Sequence, residues 1–419
     1  MTLIKTSLLN AIAVVIKMLT MLGINKILAV YVGPSGYAAL GQFQNAVQMI
    51  TTFASGAVNT GVTKYTAEYF QDQDKQISLW RTAGTISIVG TLVSSILIIS
   101  FSKFLAEWFL KDKNFYSVFI YFSLTLVFFV FNSLFMAIIN GKKEIFHYVV
   151  ANISGSIFSL VITAILVNKF GVYGALVSLA VYQSFSFFVT FFIICRRKWF
   201  RISYILGRVD KGIAINLSKF TAMALVSAVC IPLCHIFIRD YLGKSLGADA
   251  AGFWEAMWRL SGAYLLLVTT TLSVYYLPKL SELSSTSRIR NEILDGFKLI
   301  VPLVAISGFV IYLLREFIIL FLFTKNFLPM SELFAWQMFG DALKICSWVI
   351  SYLMLSKAMV RIYICTEIIF SIFFYILVYL FVEYFGLKGA AMAHAANYGV
   401  YLLVMYKLVF AELRKDAAQ

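Results

Sequence analysis

Stretches of mainly apolar residues follow one another along the whole chain, broken by short turns rich in Gly, Pro, Asn or charge. About 20 such residues carry an α-helix across a bilayer. The pattern predicts twelve helices, near 8–32, 37–63, 82–106, 115–139, 146–168, 172–195, 217–238, 251–277, 298–323, 333–356, 361–382 and 388–410. "VGPSG" at 32–36 ends the first helix and opens the second, and "NKFGVYG" at 168–174 divides the fifth from the sixth. The longest connection runs from Arg196 to Asn216 and is basic. It reads as a linker, with Trp199, Phe200 and Ile205 placed to lie in the membrane interface as a short amphipathic helix. The expected organisation is a six-helix lobe at 1–195, a linker at 196–216 and a second six-helix lobe at 217–419.

The two halves repeat. At an offset of 215 residues, "KFGVYGALVSLA" (169–180) falls on "YFGLKGAAMAHA" (384–395), so that Gly171 and Gly174 meet Gly386 and Gly389. Lys64 falls on Lys279, Lys142 on Lys357 and Tyr148 on Tyr363. Each half has an even number of spans, so the repeat is parallel. Internal repeats with a site at the membrane midplane are a transporter architecture.

Composition narrows the class. Hydrophobic residues make up 61% of the chain and charged residues 13%, against about half and a quarter in soluble domains. The expected fold is an all-α integral membrane protein. Net charge is +15, and its distribution reports topology, because cytoplasmic loops collect Lys and Arg. One alternate set of connections, with both termini, holds 20 of the 35 basic residues; the other holds 8, and 7 lie within spans. Both termini are therefore expected in the cytoplasm. Basic residues dispersed among spans exclude a nucleic-acid partner. The five cysteines have no metal or redox spacing. No phosphate-binding glycine loop, HExxH or GxSxG motif is present, so neither a cofactor nor an enzyme activity is expected.

Polar residues within the spans are the candidate chemistry. The second helix carries Gln44, Gln48, Thr52, Ser55 and Asn59 on one face. The eighth carries Glu255 and Arg259, four apart and able to pair. The tenth carries Gln337, Asp341 and Lys344, the twelfth His394, Asn397 and Tyr401, the eleventh Glu367 and the first Lys17. A charge at bilayer depth costs roughly 2.5–3.5 kcal/mol on insertion scales, so such residues face other helices or water. They serve either as helix–helix contacts, worth about 0.6 kcal/mol each, or as the lining of a path. Asp341 and Lys344 have both readings open, as a pair along their own helix or as a substrate contact. Within the spans cations outnumber anions, with Lys17, Lys219 and Arg259 among the cations and Glu255, Asp341 and Glu367 among the anions. That excess suits an anionic passenger.

Four stretches, "NTGVTKYTAEY" (59–69), "INLSKFTAMALVSAVCIPL" (215–233), "LSVYYLPKLSEL" (272–283) and "FAWQMFGDALKICSW" (334–348), resemble the Wzx-type flippases of bacterial polysaccharide assembly. The likeness is greatest to their enterobacterial, lipid III-carrying branch. These proteins belong to the multidrug/oligosaccharidyl-lipid/polysaccharide exporter superfamily. The resemblance implies two six-helix lobes and a cationic central cavity open to either side of the inner membrane in turn. It implies an undecaprenyl-pyrophosphate-linked oligosaccharide as passenger, such as lipid III or an O-antigen repeat unit. A monomer working beside the polymerase and chain-length regulator of the pathway is expected. Lys64, Lys219 and Lys279 lie within the matching stretches and are implied substrate contacts. Lys17, Arg259, Gln44 and Gln48 join them on their position in the spans. Glu255, Asp341, Lys344 and Glu367 are the expected charge network. A cation-coupled drug antiporter of the same superfamily is the competing reading, and the cationic lining argues against it. A membrane glycan polymerase is a third, and the short loops on the far side argue against that.

Overall fold

The structure, a computed structural model, describes residues 3–416 apart from 273–275, 277–278, 281–282, 284 and 358. Among the described residues every regular element is helical. The chain forms two compact units, Met1–Val32 with Ala39–Pro232, and Gly33–Ala38 with Leu233–Gln419.

The first unit contains α1 (Leu3–Tyr31), most of α2 (Gly33–Ala54), α3 (Asn59–Glu68), α4 (Gln73–Ser100), α5 (Ser102–Leu110), α6 (Tyr116–Gly141), α7 (Ile145–Cys195) and the first part of α8 (Lys211–Leu246). The second contains the rest of α8 with α9 (Ala248–Thr271), α10 (Thr286–Leu313), α11 (Arg315–Leu322), α12 (Phe334–Ser356), α13 (Val360–Phe385) and α14 (Leu387–Asp416).

Eight helices among the described residues are long and apolar enough to cross a membrane. One of them, α7, is two arms that meet at Gly171. Helices α2, α9 and α14 have the length but are too polar to count by hydropathy. They are the ones that carry Gln44 and Gln48, Glu255 and Arg259, and His394 and Asn397. Together these make the twelve crossings of a multi-pass membrane protein.

The backbone repeats where the sequence repeats. Gly171 has φ 54° and ψ −130°, and Gly386 has φ 59° and ψ −146°. Only glycine takes that region without strain. Three residues on, the chain doubles back so tightly that a Cβ at Gly174 would run into the Leu166 carbonyl, and one at Gly389 into the Phe381 carbonyl. Lys142 and Lys357 each hold an earlier segment of their own unit, through different partners. Lys142 Nζ donates to Gln76 Oε1 at 3.0 Å, and Lys357 Nζ donates to the Leu283 carbonyl at 2.5 Å. Burial pulls the Lys142 ammonium below the ordinary lysine range.

Two expectations change. The second span is not one helix. It breaks after α2, where Gly56 and Ala57 take φ of 63° and 51°, and resumes as α3 at Asn59. The Thr221 hydroxyl, from α8, donates to the freed Gly56 carbonyl at 3.0 Å, and the Ser87 hydroxyl donates to the Ser55 carbonyl at 3.3 Å. An apolar pattern alone does not reveal such a break, because the period continues across it.

The segment after α7 does not lie free in the interface either. Phe200 and Ile205 are buried in the first unit, where Phe200 meets the Phe135 ring at 5.8 Å and Trp199 meets Trp80 at 5.6 Å. The Thr85 hydroxyl donates to the Gly207 carbonyl at 3.0 Å, and the Asp210 amide donates to the Thr82 hydroxyl at 3.0 Å. Its apolar side chains found a protein core to bury in, which relieves them of water as fully as lipid would.

Candidate functional site

Buried charge is concentrated in the second unit. Arg239, Glu255, Asp341 and Lys344 are each under 9% exposed, and His394 and Gln337 are fully buried. The buried polar side chains of the first unit are all neutral among the described residues, mostly Ser and Thr.

Glu255 and Arg259 pair along α9 as their spacing predicts, with Arg259 Nε donating to Glu255 Oε1 at 2.8 Å. The other carboxylate oxygen takes Arg239, from the far end of α8. The charge pattern placed Arg239 in a loop just past its span; α8 instead runs on to Leu246 and carries it inside. One carboxylate between two guanidiniums leaves a net positive charge. Arg239 is sealed at 2% side-chain exposure, whereas Arg259 keeps 13% and lies 5.5 Å from the Tyr37 ring. Arg259 is thus the more exposed of the two guanidiniums.

Asp341 and Lys344 do not pair with each other, although they share a face of α12. Asp341 instead accepts from Tyr264 Oη at 2.8 Å and from Gln337 Nε2 at 3.4 Å, and lies 3.1 Å from His394 Nε2. Lys344 turns its ammonium onto aromatic faces, 4.7 Å from the Trp258 ring centroid, 4.9 Å from Trp348 and 5.7 Å from Tyr398. Among the described residues it makes no ion pair. Ring quadrupoles hold a desolvated ammonium by about 2 kcal/mol or more. The cage had no sequence signal, because its rings come from α9, α12 and α14.

Glu367 is half-buried on α13, near Tyr398 and Tyr401 rather than beside Asp341. Lys17, Gln44, Gln48 and Lys64 are exposed on the first unit, and Lys64 lies 5.1 Å from the Tyr65 ring. Lys279 is half-buried, and the side chain of Lys219 lies outside the described residues. The structure therefore gathers Glu255, Arg259, Asp341 and Lys344 in one unit and leaves Lys17, Lys64, Gln44 and Gln48 on the surface of the other. Among the described residues no cluster of three or more His, Cys, Asp or Glu is spaced to hold a metal.

Residues 3–284 match the family model described as polysaccharide biosynthesis protein. The chain is 30% identical, over 96% of its own length and 96% of theirs, to the proteins named lipid III flippase in Escherichia coli (strain K12) and Shigella flexneri. It is similar to the inward-facing structure of a multidrug resistance MATE family transporter of the MOP superfamily, with a TM-score of 0.74 and 14% identity over 95% of this chain and 96% of that one. At that identity the likeness shows the fold alone. The sequence matches reach further, and they make this chain a member of the polysaccharide biosynthesis protein family.

Proposed function

We propose that the chain is a flippase that moves an undecaprenyl-pyrophosphate-linked oligosaccharide from the cytoplasmic to the periplasmic leaflet by alternating access. The observation that carries this reading is the 30% identity, end to end, with proteins named lipid III flippase. The charge inventory supports it. A pyrophosphate has two acidic groups to neutralise, and fixed cations do so without a metal. Arg259, half-buried and already oriented by Glu255, is the residue best built for that contact. Lys17, Lys64, Lys219, Lys279, Gln44 and Gln48 are proposed to meet the pyrophosphate and the sugars along the way. The proposed setting is the bacterial inner membrane, with both termini cytoplasmic, on the excess of basic residues in that set of connections. The working form is proposed to be a monomer of two six-helix lobes, 1–195 and 217–419, acting next to the polymerase and chain-length regulator.

The test is complementation. The chain, expressed in an enterobacterial strain that lacks its lipid III flippase, should restore common antigen at the surface. Failure, with the protein folded in the membrane and the precursor accumulating on the cytoplasmic leaflet, would overturn lipid III as the passenger. Restored O-antigen in a strain lacking that flippase would then name the other passenger.

A further inference from the structure

Asp341 is a fully buried carboxylate, and the atoms around it define the proton on His394. A carboxylate only accepts. His394 Nε2, 3.1 Å from Asp341 Oδ1, must therefore carry the hydrogen of that bond. In a neutral imidazole this leaves Nδ1 with a bare lone pair. His394 is fully buried, and its Nδ1 has no hydrogen-bond partner. Two further buried acceptors stand unpartnered in the same unit, Gln337 Oε1 and Asn397 Oδ1. Gln337 already bonds Asp341 through its amide nitrogen, and Asn397 lies three residues along α14 on the face of His394. An unpaired buried polar atom costs roughly 1–3 kcal/mol, so several together in a native interior call for an explanation.

A metal ion does not supply it. Among the described residues no group of three or more His, Cys, Asp or Glu is placed to hold one, and the caged ammonium of Lys344 already supplies positive charge in the same unit. A proton does. It adds to the Nδ1 lone pair, no other bond forms or breaks, and the new N–H is a donor in a unit where buried acceptors stand unpartnered. The imidazolium then pairs with Asp341.

We propose that His394 is a proton-binding site that couples proton movement to the transport cycle. This rests on the transport reading above and adds the coupling ion to it. The surroundings of His394 give the proton a mechanical consequence. From α12 it faces Asp341 and Lys344, and from α9 Trp258, with Tyr264 bound to the far side of Asp341. From α8, His235 packs on the same Trp258 at 4.5 Å, with Arg239 and Glu255 behind it. From α13 it meets Phe374, with Glu367 beside Tyr398, and along α14 it meets Tyr398 itself at 5.0 Å. Trp258 is shared: it lies 5.0 Å from His394 and 4.7 Å from Lys344. Charging His394 places two cations against one indole. The strain of that arrangement falls on the packing of α9, α12 and α14, which is where a protonation step can favour one conformation of the unit over another.

The chain has three histidines, His147, His235 and His394, so histidine-selective 15N NMR of the full-length protein in nanodiscs reads each imidazole. The expected result is that the signal missing from His394→Gln titrates between about pH 5 and about pH 8, the range over which an imidazole ordinarily changes charge. It should still titrate in Lys344→Met. If His394→Gln does not fold, His147→Gln and His235→Gln assign the third signal by elimination. In cells, His394→Gln should lower surface glycan at least about tenfold, or 1.4 kcal/mol of barrier. An uncoupler should lower the wild-type level and leave the residual variant level unchanged. A His394 signal that does not move over that range overturns the proposal. So does a His394→Gln protein that moves glycan at the wild-type level. The NMR reading needs no substrate, so failure of the flippase reading shows separately, as a chain with intact His394 that restores no surface glycan.

Discussion

The two units share a skeleton and differ in what they bury. Gly171 and Gly386 make the same turn, Gly174 and Gly389 the same close approach, and Lys142 and Lys357 each hold an earlier segment of their own unit. Yet Thr163 and Ser178 stand in the interior of the first unit, bonded to each other at 3.3 Å. Their counterparts by the same offset, Val378 and Ala393, are apolar, and the second unit carries its polarity as charge elsewhere. The skeleton is thus what the fold requires twice. The charges are required once. Hydroxyls return their bonds to nearby carbonyls and cost little at membrane depth, whereas a buried charge is expensive enough to imply a purpose.

The largest break in this comparison should come from charge. Asp341→Ala strips Tyr264 and His394 of their acceptor, leaves Gln337 with Ser261 alone, and leaves the Lys344 ammonium uncompensated. It should cost about 3–5 kcal/mol, read as a collapse in folded membrane yield. Asp341→Ala/Lys344→Met removes both charges and should recover only part of the loss, because the two are not bonded to each other. Full recovery would show a direct pair. Arg239→Ala belongs in the same class, since it leaves Glu255 buried with one partner.

Next come the shared glycines. Gly174→Ala and Gly389→Ala each push a Cβ into a carbonyl and should each cost about 1–3 kcal/mol, measured as a fall in melting temperature. The two losses should match. A large difference between them would break the structural repeat.

Arg259→Ala sharpens the charge side. Arg239 still neutralises Glu255 and Arg259 is the more exposed of the two guanidiniums, so folded yield should fall less than in Arg239→Ala, while surface glycan should fall at least about tenfold, or 1.4 kcal/mol of barrier. Arg259→Lys separates charge from a two-pronged contact, which only the guanidinium makes. Unaltered glycan in Arg259→Ala would remove Arg259 from the path. The smallest effect is expected for Thr163→Val, at about 0.6 kcal/mol, with glycan at the wild-type level.

The spans, their parallel repeat and the excess of cations over anions were legible in the sequence. Arg259 with Glu255 was legible as well, because four residues is one helical turn. The Asp341 surroundings were not. The same spacing rule that pairs Glu255 with Arg259 also pairs Asp341 with Lys344, and there it misleads. A histidine 53 positions away and a tyrosine 77 positions away reach Asp341 first, and three aromatic rings take the ammonium. Arg239 was hidden for the converse reason, since a charge pattern ends a span where the helix itself does not end.

Hydropathy and helical period are local properties, set by each residue and those within a turn or two of it. They decided by themselves that this chain crosses a membrane, about how many times, and that its halves are copies. Which cation meets which carboxylate depends on helices far apart in the chain coming into contact. At membrane depth no water screens or replaces a poor partner, so each buried group takes the best one that packing brings. Only the tertiary structure decided that Glu255 holds two arginines, that Lys344 rests on rings, and that Asp341 answers to His394.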